Sequence, residues 1–90
     1  MNYAVLWVPA AEQELATIWM TAPDRNAVTV AAHAIDVRLR TAPEEQGESR
    51  TRGQRILVES PLCVRFLVQL QSQTVFVLAV WRFGTHPRTS

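Results

Sequence analysis

The sequence predicts an α+β domain in the order β-α-α-β-β-β, a helical hairpin packed on one face of a small, mainly antiparallel sheet. Apolar residues recur at helical spacing after Pro9 and again after Asp24. The second half then holds three runs rich in valine, leucine and phenylalanine, separated by short turn signals. Size agrees: 90 residues, 48% of them hydrophobic, make one domain with a single two-layer core.

Taken in order, Tyr3–Val8 is an apolar run that ends at Pro9 and reads as a strand. Pro9 suits the first turn of a helix, where its missing N–H leaves no bond unmade, and Glu12 and Glu14 complement the helix dipole there. Ala11, Leu15, Ile18 and Trp19 give this helix, Pro9 to about Met20, one apolar face. Pro23 ends it, and Asp24 suits the N-cap of a second helix over Arg25–Thr41. Val28, Ala31, Ile35 and Leu39 mark the buried stripe of that helix, and Asp36 with Arg40 forms an i,i+4 pair. The tight connection at Thr21–Pro23 folds the two helices into an antiparallel hairpin.

Residues 43–53 form the one long polar stretch and read as a loop. Strands are expected over Gln54–Glu59, Leu62–Leu70 and Gln73–Arg82, with Ser60-Pro61 and Gln71-Ser72 as turns and an irregular tail from Gly84 to Ser90. A two-residue turn at Gln71-Ser72 places Leu70 opposite Gln73. Val64, Phe66, Val68, Val75, Val77, Ala79 and Trp81 then share an apolar face under the helices. In that register Arg65 and Arg82 fall together on the open face, beside exposed apolar residues.

Charge is divided along the chain. All nine basic residues are arginine; residues 1–48 carry a net −4 and residues 49–90 a net +5. Arginine suits bidentate phosphate or carboxylate recognition, so a basic half built on strands points to nucleic acid or to an acidic protein segment. An ordinary solvated surface in an arginine-rich composition is the competing reading. Cys63, the single cysteine, excludes an internal disulfide and fits a reducing compartment. No apolar run approaches the roughly 20 residues of a membrane span, and no basic residue precedes Glu12 as a secretory signal would require, so a cytoplasmic domain is expected. Two distant histidines and one cysteine have no metal-ligand spacing, and three glycines make no phosphate loop, so no cofactor is expected.

Several residues together carry a resemblance. Val8-Pro9 closes the first strand, and Ala11-Glu12, Leu15 and Ile18-Trp19 mark the first helix. Ala31-Ala32, Ile35-Asp36, Leu39 and Pro43 mark the second. Gly47, Arg50 and Gly53-Gln54-Arg55-Ile56-Leu57 lead into Leu62–Val68 and Val75–Trp81. Over nearly its whole length this pattern resembles the RelE/ParE family of toxins from type II toxin–antitoxin systems. The resemblance implies a toxin held inactive by a tightly bound, acidic antitoxin encoded beside it. It also implies one of two activities: metal-independent cleavage of mRNA on the ribosome, as in the RelE type, or inhibition of DNA gyrase, as in the ParE type. A catalytically inactive module that binds protein or RNA is a third expectation.

The residues divide between these activities. RNA cleavage needs a base for the 2′-hydroxyl, cations around the phosphorane and an acid for the leaving oxygen. By resemblance Arg65 matches the family's third-strand arginine, Arg82 a basic position after the last strand and Arg55 a basic position on the strand before. His86 is the one acid/base candidate in the tail. Lysine is absent and the lone tyrosine, Tyr3, sits at the wrong end, which favours the gyrase-directed, non-ribonuclease reading. Arg50, Arg52, Arg65 and Arg82 are the candidate phosphate contacts, set against a solvated loop for the first two. For the last two the competing roles are pairing with Glu59 or shielding the sheet with their stems. His33 reads as a surface residue and Cys63 as packing. Trp7, Trp19 and Trp81 read as core anchors, one of which could line an antitoxin groove. An open face mixing apolar and arginine side chains invites an amphipathic acidic segment and, in the free protein, self-association.

Overall fold

Prolines set the helices where the pattern places them. The structure, a computed structural model, describes residues 2–49 and 53–83. Strand β1 spans Ala4–Trp7, and Pro9 opens α1 (Pro9–Thr21) behind an extended Val8. Helix α2 covers Arg25–Thr41 and buries Val28, Ala31, Ile35 and Leu39, the stripe that helical spacing selects. A single 3-10 turn at Pro43–Glu45 leads into a two-residue strand, β2 (Glu48–Ser49), inside the stretch expected to be loop. Strands β3 (Gln54–Glu59), β4 (Leu62–Gln69) and β5 (Thr74–Arg82) follow.

The sheet is five-stranded and mixed, in the order β1-β5-β4-β3-β2. β1 runs parallel to β5, and the other neighbours are antiparallel. Both helices cover one face, giving the two-layer α+β architecture. Ala11, Val28, Ile35 and Leu39 meet Leu57, Leu62, Val64, Phe66, Val75, Val77 and Val80 in the core, and no polar side chain is buried among the described residues. Each fully buried aliphatic side chain there contributes roughly 1.5–3 kcal/mol relative to exposure.

The register between β4 and β5 begins as the turn at Gln71-Ser72 dictates, with Gln69 opposite Thr74 and Phe66 opposite Val77. It then shifts by one: Arg65 pairs with Ala79, Val64 with Val80, Cys63 with Trp81 and Leu62 with Arg82. Leu78 is the extra residue of a β-bulge, and beyond it every side chain of β5 changes face. Ala79 and Trp81, expected under the helices, therefore lie on the open face, while Val80 and Arg82 lie on the helical face. The bulge frees a backbone donor, and helix α1 supplies its acceptor: the Val80 N–H donates to Glu14 Oε1 at 3.1 Å. Glu14, expected to serve the helix dipole, instead joins α1 to the sheet.

Two further expectations are corrected. Asp24 stands at the N-cap of α2, but its side chain makes no capping bond and turns to Arg82. Trp19 is 42% exposed and is no core anchor. Its Nε1 donates to Thr29 Oγ1, and the Arg25 guanidinium stacks over its ring, 4.7 Å from the centroid.

Candidate functional site

Strand pairing lays the open face out in rows. Leu6, Phe76, Leu67 and Gln54 form one row across β1, β5, β4 and β3; Ala79, Arg65 and Ile56 form the next; Trp81, Cys63 and Val58 form a third. Leu6 is 51% exposed and Val58 44%, so among the described residues this side of the sheet is largely apolar, with one guanidinium, that of Arg65, near its middle. Its counterpart rows on the helical face run through Trp7, Val77, Phe66 and Arg55, and through Arg82, Leu62 and Glu59.

The candidate arginines among the described residues, Arg55, Arg65 and Arg82, do not converge. Arg82 lies on the helical face, contrary to the expected shared surface with Arg65. It donates through Nη1 and Nη2 to the Asp24 carboxylate at 3.1 and 3.4 Å, tying the end of β5 to the turn between the helices. This hydrogen bond holds the Asp24 carboxyl below its ordinary range, with the charge of Arg82 acting in the same direction. Arg55 also points to the helical side, where its Nε and Nη2 donate to the carbonyls of Gln46 and Gly47 at 2.7 and 3.2 Å. It therefore clamps the loop before β2. Glu59 pairs with Arg38 at 2.6 Å and not with Arg65 or Arg82. Arg40 pairs with Asp36 as expected, and Arg25 donates to the last carbonyls of α1, those of Trp19 and Met20. Arg50, Arg52 and His86 lie outside the described residues.

Arg65 differs from all of these. Among the described arginines it alone makes no hydrogen bond or ion pair, and its Nε is buried without a partner. Strand alternation puts it on the open face, and the neighbouring strands leave it between Ile56 and Ala79, which offer no acceptor. A buried guanidinium N–H without an acceptor is costly, so the position suits an incoming oxyanion.

A concavity lies on the opposite side of the molecule, between the helices. This groove, about 810 Å³, is lined by Trp7, Leu15, Trp19, Met20, Val28 and Ala32, with Glu12, His33 and Asp36 among its polar side chains. Sequence reading missed it except through the tryptophans. The alanines of α2 and the exposed Met20 at the end of α1 are the signals that could have found it. Cys63 is buried, as its packing role requires. Among the described residues no group of three or more His, Cys, Asp or Glu side chains is placed to hold a metal ion, and no helix is long and apolar enough to cross a membrane.

No family model matches the sequence, and no curated protein matches it. Solved structures do match. The toxin–antitoxin complex RelBE2 from Mycobacterium tuberculosis contains a chain that superposes with a TM-score of 0.77 at 17% identity, over 94% of this chain and 95% of that one. The chromosomal ParDE toxin–antitoxin system of P. aeruginosa gives a TM-score of 0.63 at 19% identity, over 90% of this chain and 96% of that one. The chain has the RelE/ParE-type toxin fold.

Proposed function

We propose that the protein is the toxin of a type II toxin–antitoxin pair and that it acts on DNA gyrase in the manner of ParE-type toxins, without cutting RNA. Full-length likeness to chains from two toxin–antitoxin systems supports the toxin role and an antitoxin partner. The observation that carries the choice between activities is the dispersal of the described candidate cations. Stabilising a pentacovalent phosphate requires several donors aimed at one point, preorganised before the reaction. Here Arg55 is committed to the Gln46 and Gly47 carbonyls, Arg82 to Asp24 on the far face, and Arg65 stands alone. No second cation or general base accompanies Arg65 on the open face among the described residues. A gyrase inhibitor needs a binding surface and no such constellation.

The test runs two assays on one preparation of the purified full chain. Supercoiling by DNA gyrase is expected to fail in its presence, while mRNA on translating ribosomes stays whole at stoichiometric protein. Cleaved message with unimpaired supercoiling would replace this reading with the ribonuclease one, and Arg65→Ala would then abolish cutting.

A further inference from the structure

We infer that the groove between the two helices is a site for a small organic cation, an ammonium on an apolar body about 10 Å long, with its charge at Glu12 and Asp36 and its apolar end beside Trp19. It stands apart from the open sheet face and from the choice of the toxin's target. The alignment of the helices builds the site. Trp19 Nε1 on α1 donates to Thr29 Oγ1 on α2 at 3.1 Å, which pins the antiparallel pair in register. Counted back from that bond in equal steps, Ala16 comes opposite Ala32, Leu15 opposite His33 and Glu12 opposite Asp36. The facing alanines leave room that larger side chains would fill. Trp7 lines the end where β1 passes into α1, and the Trp19 end lies roughly two helical turns away. The volume, about 810 Å³, is of the size that takes a small ligand.

Charge selects the class of ligand. Among the described residues the groove is lined by two carboxylates, Glu12 and Asp36, and by no arginine. Asp36 pairs with Arg40, whereas Glu12 makes no side-chain hydrogen bond or ion pair with any described residue. One uncompensated carboxylate therefore stands at this end, in the first turn of α1 where the helix dipole favours negative charge. An anion would be repelled there, and a neutral apolar ligand would strip water from the carboxylate without replacing its bonds. An ammonium restores them, and the indole of Trp7 in the same lining adds its own attraction for a cation. The hairpin end has the opposite polarity. There the Arg25 guanidinium stacks over the Trp19 ring and donates to the Trp19 and Met20 carbonyls, so this end takes the uncharged part of the ligand, against Leu15 and Met20.

The probe is phenylbutylamine, protonated at neutral pH and of the required length, titrated against the isotope-labelled full chain and followed through the indole N–H signals. Phenylbutanol and phenylbutyrate are the neutral and anionic references. A ligand of this size is expected to bind with a Kd on the order of a millimolar. The amine is expected to bind at least about fivefold more tightly than the alcohol, and the carboxylate more weakly than either. Glu12→Gln, at an exposed helix position, is expected to bring the amine to within about twofold of the alcohol. Ala16→Leu, also exposed, fills the middle of the groove and is expected to weaken all three by about tenfold or more, with an unchanged circular dichroism spectrum showing that the chain is folded.

Equal affinity for the amine and the alcohol, or an amine affinity that Glu12→Gln leaves unchanged, would overturn the inference. Binding that survives Ala16→Leu in the folded chain would place the probe elsewhere and overturn it as well. A dimer in sedimentation equilibrium that Ala16→Leu dissociates would assign the groove to a second copy of this chain instead of a cation. None of these outcomes bears on the toxin reading, whose failure shows separately in the supercoiling and mRNA assays.

Discussion

Removing the carboxylate of Glu14 tests how the bulge in β5 is held. Val80 is 3% exposed, and its N–H, freed from the ladder by the register shift, donates to Glu14 Oε1 at 3.1 Å. In Glu14→Ala that donor is left without its acceptor in a place water barely reaches. Loss of a hydrogen bond to a charged group costs about 1.5–3 kcal/mol, and the exposed position of Glu14 on α1 argues for the lower end. Alanine's better helix propensity offsets a few tenths, leaving a net loss of about 1.2 kcal/mol. For a domain of this size that corresponds to a fall in Tm of roughly 5–10 °C. Urea unfolding followed by circular dichroism measures it, with Gln13→Ala, on the exposed side of the same helix, as the reference. An unchanged m-value with a lowered midpoint would locate the loss in the native contact. A Glu14→Ala midpoint equal to that of Gln13→Ala would refute the bond, and with it the account of why β5 changes face after Val77.

Two further perturbations follow from the geometry. A Cβ at Gly47, where φ is +65°, would lie 2.0 Å from the Ile56 carbonyl oxygen, whereas one at Gly53, φ +75°, would meet nothing nearer than 3.9 Å among the described residues. Gly47→Ala is therefore expected to cost at least about 2 kcal/mol and Gly53→Ala only about 1 kcal/mol, and chemical denaturation showing the reverse order would contradict the packing of the loop on β3. The pair between Asp24 and Arg82 predicts an acid limb: because the folded-state pKa of Asp24 is depressed, its stabilisation is complete above the ordinary carboxylate range and is lost as pH falls below about 4. Asp24→Asn is expected to flatten that limb in a series of Tm measurements against pH, and an unchanged limb would count against the pair.

Much of this fold is legible in the sequence because local rules and packing agree. Pro9 and Pro23 bound α1, the stripe from Val28 to Leu39 marks what α2 buries, and β3 occupies the predicted residues. The register near the Gln71-Ser72 turn also follows from the turn itself. The bulge at Leu78 does not, because its stabilising partner, Glu14, stands more than sixty residues earlier and looks like any exposed acidic helix residue. From that one irregularity follow the misplacement of Ala79, Trp81 and Arg82. β2 is hidden for another reason: Glu48–Ser49 has no apolar alternation and is a strand only because it pairs with Arg55 and Ile56. Alternation suffices to place Arg65 on the open face, whereas the commitments of Arg55 and Arg82 depend on acceptors, Gln46, Gly47 and Asp24, that become neighbours only in three dimensions.

Growth of cells carrying the gene on a tightly controlled promoter, alone and together with the adjacent reading frame, tests the proposed toxin role most directly. Induction alone is expected to arrest colony formation, and co-expression to restore it. Undiminished growth on induction of the folded, soluble protein would contradict the account.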